Sequence, residues 1–182
     1  TYHYRPRPDA TSFTEGCTWD AGGSTITAVH TPGHTGGHTC FLVEPDGVLV
    51  LGDIDLTSFG PYYGDAASDL EDFERSLARV RDIDAAWYVT YHHKGIYTER
   101  AAYLTALDAF TAVIASREAA MLAFLAEPRT VEDMVAHRFV YRPHVQLPWL
   151  DSCERYTATD HLRRLERRGA VVRVGEDRYR AT

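Results

Sequence analysis

At 182 residues and a formal charge of −7, the chain is long enough for one large domain or two small ones. Its 45% hydrophobic and 25% charged content is that of an ordinary globular protein. No apolar run approaches the roughly 20 residues that span a bilayer, so a membrane partner is not expected. Cys17, Cys40 and Cys153 are too widely spaced for a disulfide framework or a CxxC zinc site, and the expected compartment is a reducing cytoplasm.

In chain order, residues 14–30 read as two strands joined by a turn at Asp20–Gly23, the second supported by Thr25, Ile26, Thr27 and Val29. Thr39–Glu44 and Val48–Leu51 form a further strand pair around Pro45-Asp46-Gly47. Ser68-Asp69-Leu70-Glu71 has the form of a capping box, followed by Leu70, Phe73, Leu77 and Val80 at helical spacing. Ala85–Thr90 is a short buried strand. Thr98 is placed to cap a helix carrying Tyr103, Leu107, Phe110 and Ile114 on one face. Strand pairs followed by strand–helix alternation predict an α/β layered domain.

Beyond Arg117 the pattern changes. Helices are expected at Met121–Leu125, from Thr130, and from about Asp151 to Arg168, where Gly169 supplies the stop. Two short strands around Gly175-Glu176-Asp177 complete the order of a winged helix. The boundary is placed near Ser116, giving units of residues 1–116 and 117–182. Residues 1–116 carry 7 basic and 16 acidic side chains, and residues 117–182 carry 12 and 10. The acidic first unit argues against broad nucleic-acid binding there.

The densest chemistry lies in His30-Thr-Pro-Gly-His34-Thr-Gly-Gly-His38, a Gly-rich turn directly after a strand. Such a turn fixes the backbone and leaves an imidazole uncrowded, which suits a metal ligand. Gly52-Asp53 ends the next strand pair, and Ala86–Thr90 leads into Tyr91-His92-His93-Lys94-Gly95. Three strand ends thus deliver His, Asp and His, a donor set suited to zinc or a similar divalent ion.

HTPGHTGG, LGD and YHHKG, with the preceding ITAVHTPGHT hairpin, resemble the later motifs of the metallo-β-lactamase superfamily over residues from about 14 to 116. The resemblance implies the C-terminal half of an αββα sandwich. It makes His34 a metal ligand, Asp53 the carboxylate that bridges two metals and orients the nucleophile, and His92 or His93 the last ligand, with His92 preferred. His30 and His38 match no ligand position. Two zinc ions are implied, with manganese or iron as alternatives.

The superfamily's first signature, His-x-His-x-Asp-His, has no counterpart here. His3 stands alone and no Asp-His pair precedes His30. The chain is therefore expected to be a fragment of a metal-dependent hydrolase, inactive by itself, whose other half belongs to a longer product or a partner chain. Its expected substrate is a small acyl compound: an ester, thioester, lactone or lactam. A nuclease that holds RNA through the winged helix, and a non-catalytic binding protein with a degenerate site, are the alternatives.

In the 54–65 loop, Phe59, Tyr62 and Tyr63 either line a substrate pocket or pack over the sheet. Asp55 and Asp65 read as turn-capping or solvated carboxylates. Arg163, Arg164, Arg167 and Arg168 are either phosphate contacts or a solvated face beside a core formed by Leu162 and Leu165. With a near balance of charge in this unit, any nucleic-acid binding is expected to be weak and electrostatic.

Overall fold

The computed structural model describes residues 7–92 and 94–182. A six-stranded sheet is ordered β1-β2-β3-β4-β5-β6, from β1 (Thr18–Asp20), β2 (Thr25–His30), β3 (Thr39–Glu44), β4 (Val48–Val50), β5 (Trp87–Val89) and β6 (Ile96–Tyr97). β4 and β5 pair in parallel and every other pair is antiparallel. The parallel step needs a crossover, supplied by α1 (Leu70–Asp82). As a result β2, β4 and β5 run in one direction and release their C-terminal ends at the same edge of the sheet.

The register sorts the side chains into two faces. Val29, Cys40, Leu49 and Tyr88 pack with Phe73, Leu77, Tyr103, Leu107 and Phe110 in a single core under α1 and α2 (Arg100–Phe124). The periodicity expected of these two helices is the one that is buried. On the other face, cross-strand partners form two rows: Trp19, Ile26, Val43, Val48 and Trp87, then Ala28, Phe41, Val50, Val89 and Ile96. Both rows are apolar throughout. Apart from Ala28 their members are half-buried or exposed, with Trp87 at 45% and Ile96 at 57%. This sheet is built to be covered on both faces.

Local details depart from expectation at three points. The cap of α1 is Asp69, which accepts from the Asp72 amide; Ser68 instead donates to the His34 carbonyl at 2.7 Å. Thr98 does not cap α2, whose preceding residue is Glu99, because the chain is still leaving β6. And α2 runs unbroken through residue 116, so the boundary at Ser116 falls inside a helix of 25 residues that has neither Gly nor Pro.

After α2 come β7 (Arg129–Thr130), α3 (Val131–His137), α4 (Leu150–Arg167), β8 (Val171–Val174) and β9 (Arg178–Ala181), with a small sheet ordered β7-β9-β8. Thr130 and Asp133 form a reciprocal capping box on α3. Leu162 and Leu165 join Met121, Leu125, Met134 and Val171 in a second core. No helix among the described residues is long and apolar enough to cross a membrane.

Candidate metal centre

Three strand ends converge on Asp53. Its Oδ1 lies 2.9 Å from His92 Nε2, and its Oδ2 lies 3.7 Å from His34 Nε2. Co-directional β2, β4 and β5 produce this meeting: His34 follows β2, Asp53 follows β4 and His92 follows β5. His93 lies outside the described residues.

His34 and Asp53 are held from behind. His34 Nδ1 donates to the Tyr62 carbonyl at 3.0 Å, which turns Nε2 toward Asp53. The turn bearing it packs so closely on α1 that a methyl group on Gly33, at φ 129°, would fall inside the Phe73 backbone. His38 is buried, and its Nε2 accepts the Asp53 amide at 3.0 Å. Its Nδ1 must then carry the proton, donated to the Thr31 carbonyl at 2.9 Å. Burial, the dominant influence, pushes the His38 pKa down and keeps that ring neutral. Gly52, at φ 58°, lets the ring approach, since a Cβ there would lie 2.7 Å from His38 Nε2.

The sequence flagged His30 and His38 without a ligand role. His38 turns out to position the Asp53 backbone. His30 donates from Nε2 to the Gly36 carbonyl at 2.9 Å, a tie within its own loop. Asp55 accepts from the Thr57 amide and hydroxyl, as a turn-capping carboxylate does.

Two imidazole nitrogens and a carboxylate facing one another suit a divalent ion. The set is incomplete as a shell. Among the described residues no group of three or more His, Cys, Asp or Glu side chains is gathered closely enough to hold an ion.

The aromatic loop divides its labour. Tyr62 lies beside the His34 ring, with centroids 5.6 Å apart, and Phe59 is 37% exposed. Tyr63 is buried and meets His161 Nε2 through its hydroxyl at 3.0 Å, so it belongs to the packing against α4 rather than to a pocket.

The family model of the metallo-beta-lactamase superfamily matches residues 2–93. This chain belongs to that superfamily. Among curated members it is 32% identical over 82 residues to the atrochrysone carboxyl ACP thioesterase of Aspergillus fumigatus, covering 45% of this chain and 25% of the relative. It is 44% identical over 83 residues to the lactamase-like protein aptB of Emericella nidulans, covering 44% and 26%. A metallo-beta-lactamase family protein from Thermus thermophilus superposes with a TM-score of 0.75 at 28% identity, over 93% of this chain and 54% of that one. A beta-lactamase domain protein from Burkholderia ambifaria gives 0.72 at 22%, over 97% and 53%, a likeness of fold. The chain thus spans about a quarter of the curated relatives and about half of the solved structures.

Coverage of 93% carries the likeness to a solved superfamily member across both units of this chain. The arginines of α4 tie that helix to α1 and α2. Arg164 is buried and pairs with Glu74 at 2.8 Å and with Glu118; Arg167 pairs with Glu71, and Arg168 with Glu118 at 3.3 Å. Glu71 and Glu74 lie on α1 and Glu118 on α2. Arg163, exposed, pairs with Asp160 of its own helix. Sequence reasoning missed His161, Glu118 and Glu154, whose partners are distant in the chain.

Proposed function

We propose that the chain is the part of a metal-dependent acyl hydrolase that supplies His34, Asp53 and His92 to its metal centre. The observation that carries this reading is the Asp53 carboxylate, turned with one oxygen toward each imidazole at the common edge of three strands. Relatives named as a thioesterase and a lactamase-like protein support hydrolysis of an ester, thioester, lactone or lactam. When bound, a pair of zinc ions, or manganese or iron, would supply water activation near neutral pH and polarisation of the scissile carbonyl.

This chain's own residues do the positioning. His34 keeps its Nδ1 proton on Tyr62 and offers Nε2. His38 fixes the Asp53 amide and hence the direction of the carboxylate. Asp53 then holds whatever proton or cation lies between the two rings. The remaining ligands come from a second sheet packed on the apolar face, in a longer product or a partner chain. The unpaired state of Cys17, Cys40 and Cys153 suits a reducing cytoplasm. The chain's residues 117–182 act as a winged helix docked on the first unit.

The test is turnover of an aryl thioester, a lactone and nitrocefin. The isolated chain should show no chelator-sensitive hydrolysis of any of them. Supplied with a second half that bears a His-x-His-x-Asp-His segment, it should hydrolyse at least one, and Asp53→Asn should lower kcat by 100-fold or more, in the roughly 10²–10³ range of a lost electrostatic stabiliser. Hydrolysis that resists chelator, or that D53N leaves intact, would overturn the proposal.

A further inference from the structure

A cleft of about 650 Å³ opens where the 54–65 loop, α2 and the 138–145 segment meet. Its walls include Phe59, Val113, Phe139 and Tyr141, with two cations, Arg117 buried in the wall and Arg142 exposed at its rim. The walls are firmly built. Glu154, buried on α4, receives the amides of Phe139, Val140 and Tyr141 at 2.9, 3.1 and 2.8 Å, which fixes that segment. Phe59 and Tyr141 close on each other, with centroids 5.3 Å apart.

Arg117 is only 5% exposed, yet among the described residues no carboxylate lies within ion-pairing distance of it. Its guanidinium donates to the carbonyls of Pro61 at 2.5 Å and Phe59 at 2.6 Å, and lies over the rings of Phe59 and Tyr63. Carbonyls and aromatic faces attract a cation but do not neutralise it, and a desolvated charge draws in an anion. The other buried arginine, Arg164, has two glutamates. Arg117 therefore stands out as a buried cation without its anion, in the wall of an apolar cleft.

We infer that this cleft binds an apolar carboxylate: an aromatic or aliphatic body lying against Val113 and the Phe59–Tyr141 pair, with its carboxylate toward Arg117. A flat apolar body suits the ring-lined walls, and a carboxylate supplies the negative charge that the guanidinium, held by carbonyls alone, lacks. This assignment is independent of the hydrolase reading and concerns a site other than the metal centre.

The test is calorimetric titration of the full chain with 2-naphthoate and with uncharged 2-naphthalenemethanol. Naphthoate should bind saturably at one site, at least tenfold more tightly than the alcohol, and salt should weaken it. Ala120→Trp, on an exposed turn of α2 at the cleft, should fill the space and abolish binding while leaving Arg117 and the fold in place. Arg117→Met should bring naphthoate down to the affinity of the alcohol. If that variant fails to fold, A120W and the comparison of the two ligands still decide. Equal affinity for the two ligands, or naphthoate binding that survives A120W, would overturn the inference, the latter assigning the ligand to another surface such as the open sheet face.

Discussion

The Asp53 carboxylate points where it does because its amide is held by an imidazole that must stay neutral. His38→Ala would leave that amide and the Thr31 carbonyl without their partner in a buried setting. An unsatisfied buried polar group costs about 1–3 kcal/mol, so the variant should lose about 2 kcal/mol of stability, read from the urea midpoint. Hydrogen exchange at the Asp53 amide should quicken well beyond that of the core of β4. His38→Gln, whose carbonyl can accept the same amide, should recover part of both effects. An Asp53 amide as protected in H38A as in the parent would deny His38 this role. The sequence drew attention to His34, Asp53 and His92 because each follows a strand end. It could not assign His38, whose role depends on which ring nitrogen carries the proton and on the approach of Gly52 from another strand. Glu154 and Glu118 were harder still: their carboxylates are explained only by groups that folding brings to them.

At the scale of elements, helical periodicity made α1, α2 and the core side of α4 readable, since Leu70, Phe73, Tyr103, Leu107, Leu162 and Leu165 are all buried. The charged side of α4 was not readable, because a stripe of arginines looks the same facing solvent, phosphate or acidic helices. Here it faces Glu71 and Glu74 of α1 and Glu118 of α2. This junction gives the fold a pH dependence. The hydrogen bond from His161, then Arg164, holds Glu118 down to about 2, and burial holds His161 below its ordinary value. Both groups are depressed in the folded state, so the unfolded chain takes up protons first as pH falls. Stability should be full above the ordinary histidine value of 6.5, decline below it, and decline further from 4.5 toward 2 as Glu118 is lost. Thermal midpoints between pH 7 and 3 check this. Glu118→Gln should be less stable at pH 7 and show a shallower slope below pH 4.5. A slope identical to the parent's would remove Glu118 from the explanation.

At the scale of the whole molecule, the six-stranded sheet is apolar on two faces; among the described residues helices cover one, and on the other Phe13 packs against Trp19 and Phe41. The β-branched run of β2 and the turn after β3 suggested strands but not this, since Ile26, Phe41 and Val43 read equally well as core or as cover. Only the register shows that they align with Val48, Val50, Trp87, Val89 and Ile96 across the strands. Monomeric soluble proteins rarely expose a continuous apolar patch beyond a few hundred Å², and one this broad seeks a partner. The isolated chain should therefore associate with itself through this face and enhance the fluorescence of an apolar dye. Burial is worth about 25 cal/mol per Å² before the costs of association, so the association should grow with chain concentration. Replacing Trp87 and Ile96, both at the exposed end of the face, by Lys should shift the chain to monomer in sedimentation and cut dye binding several-fold. Far-UV circular dichroism should not change, because neither side chain belongs to the helix-covered core. The same double variant should fail to restore turnover when the second half is supplied, whereas a variant altered only at Asp53 should still assemble. A parent chain that stays monomeric and dye-silent would mean that the face needs no second sheet, and the proposed source of the remaining metal ligands would fall with it.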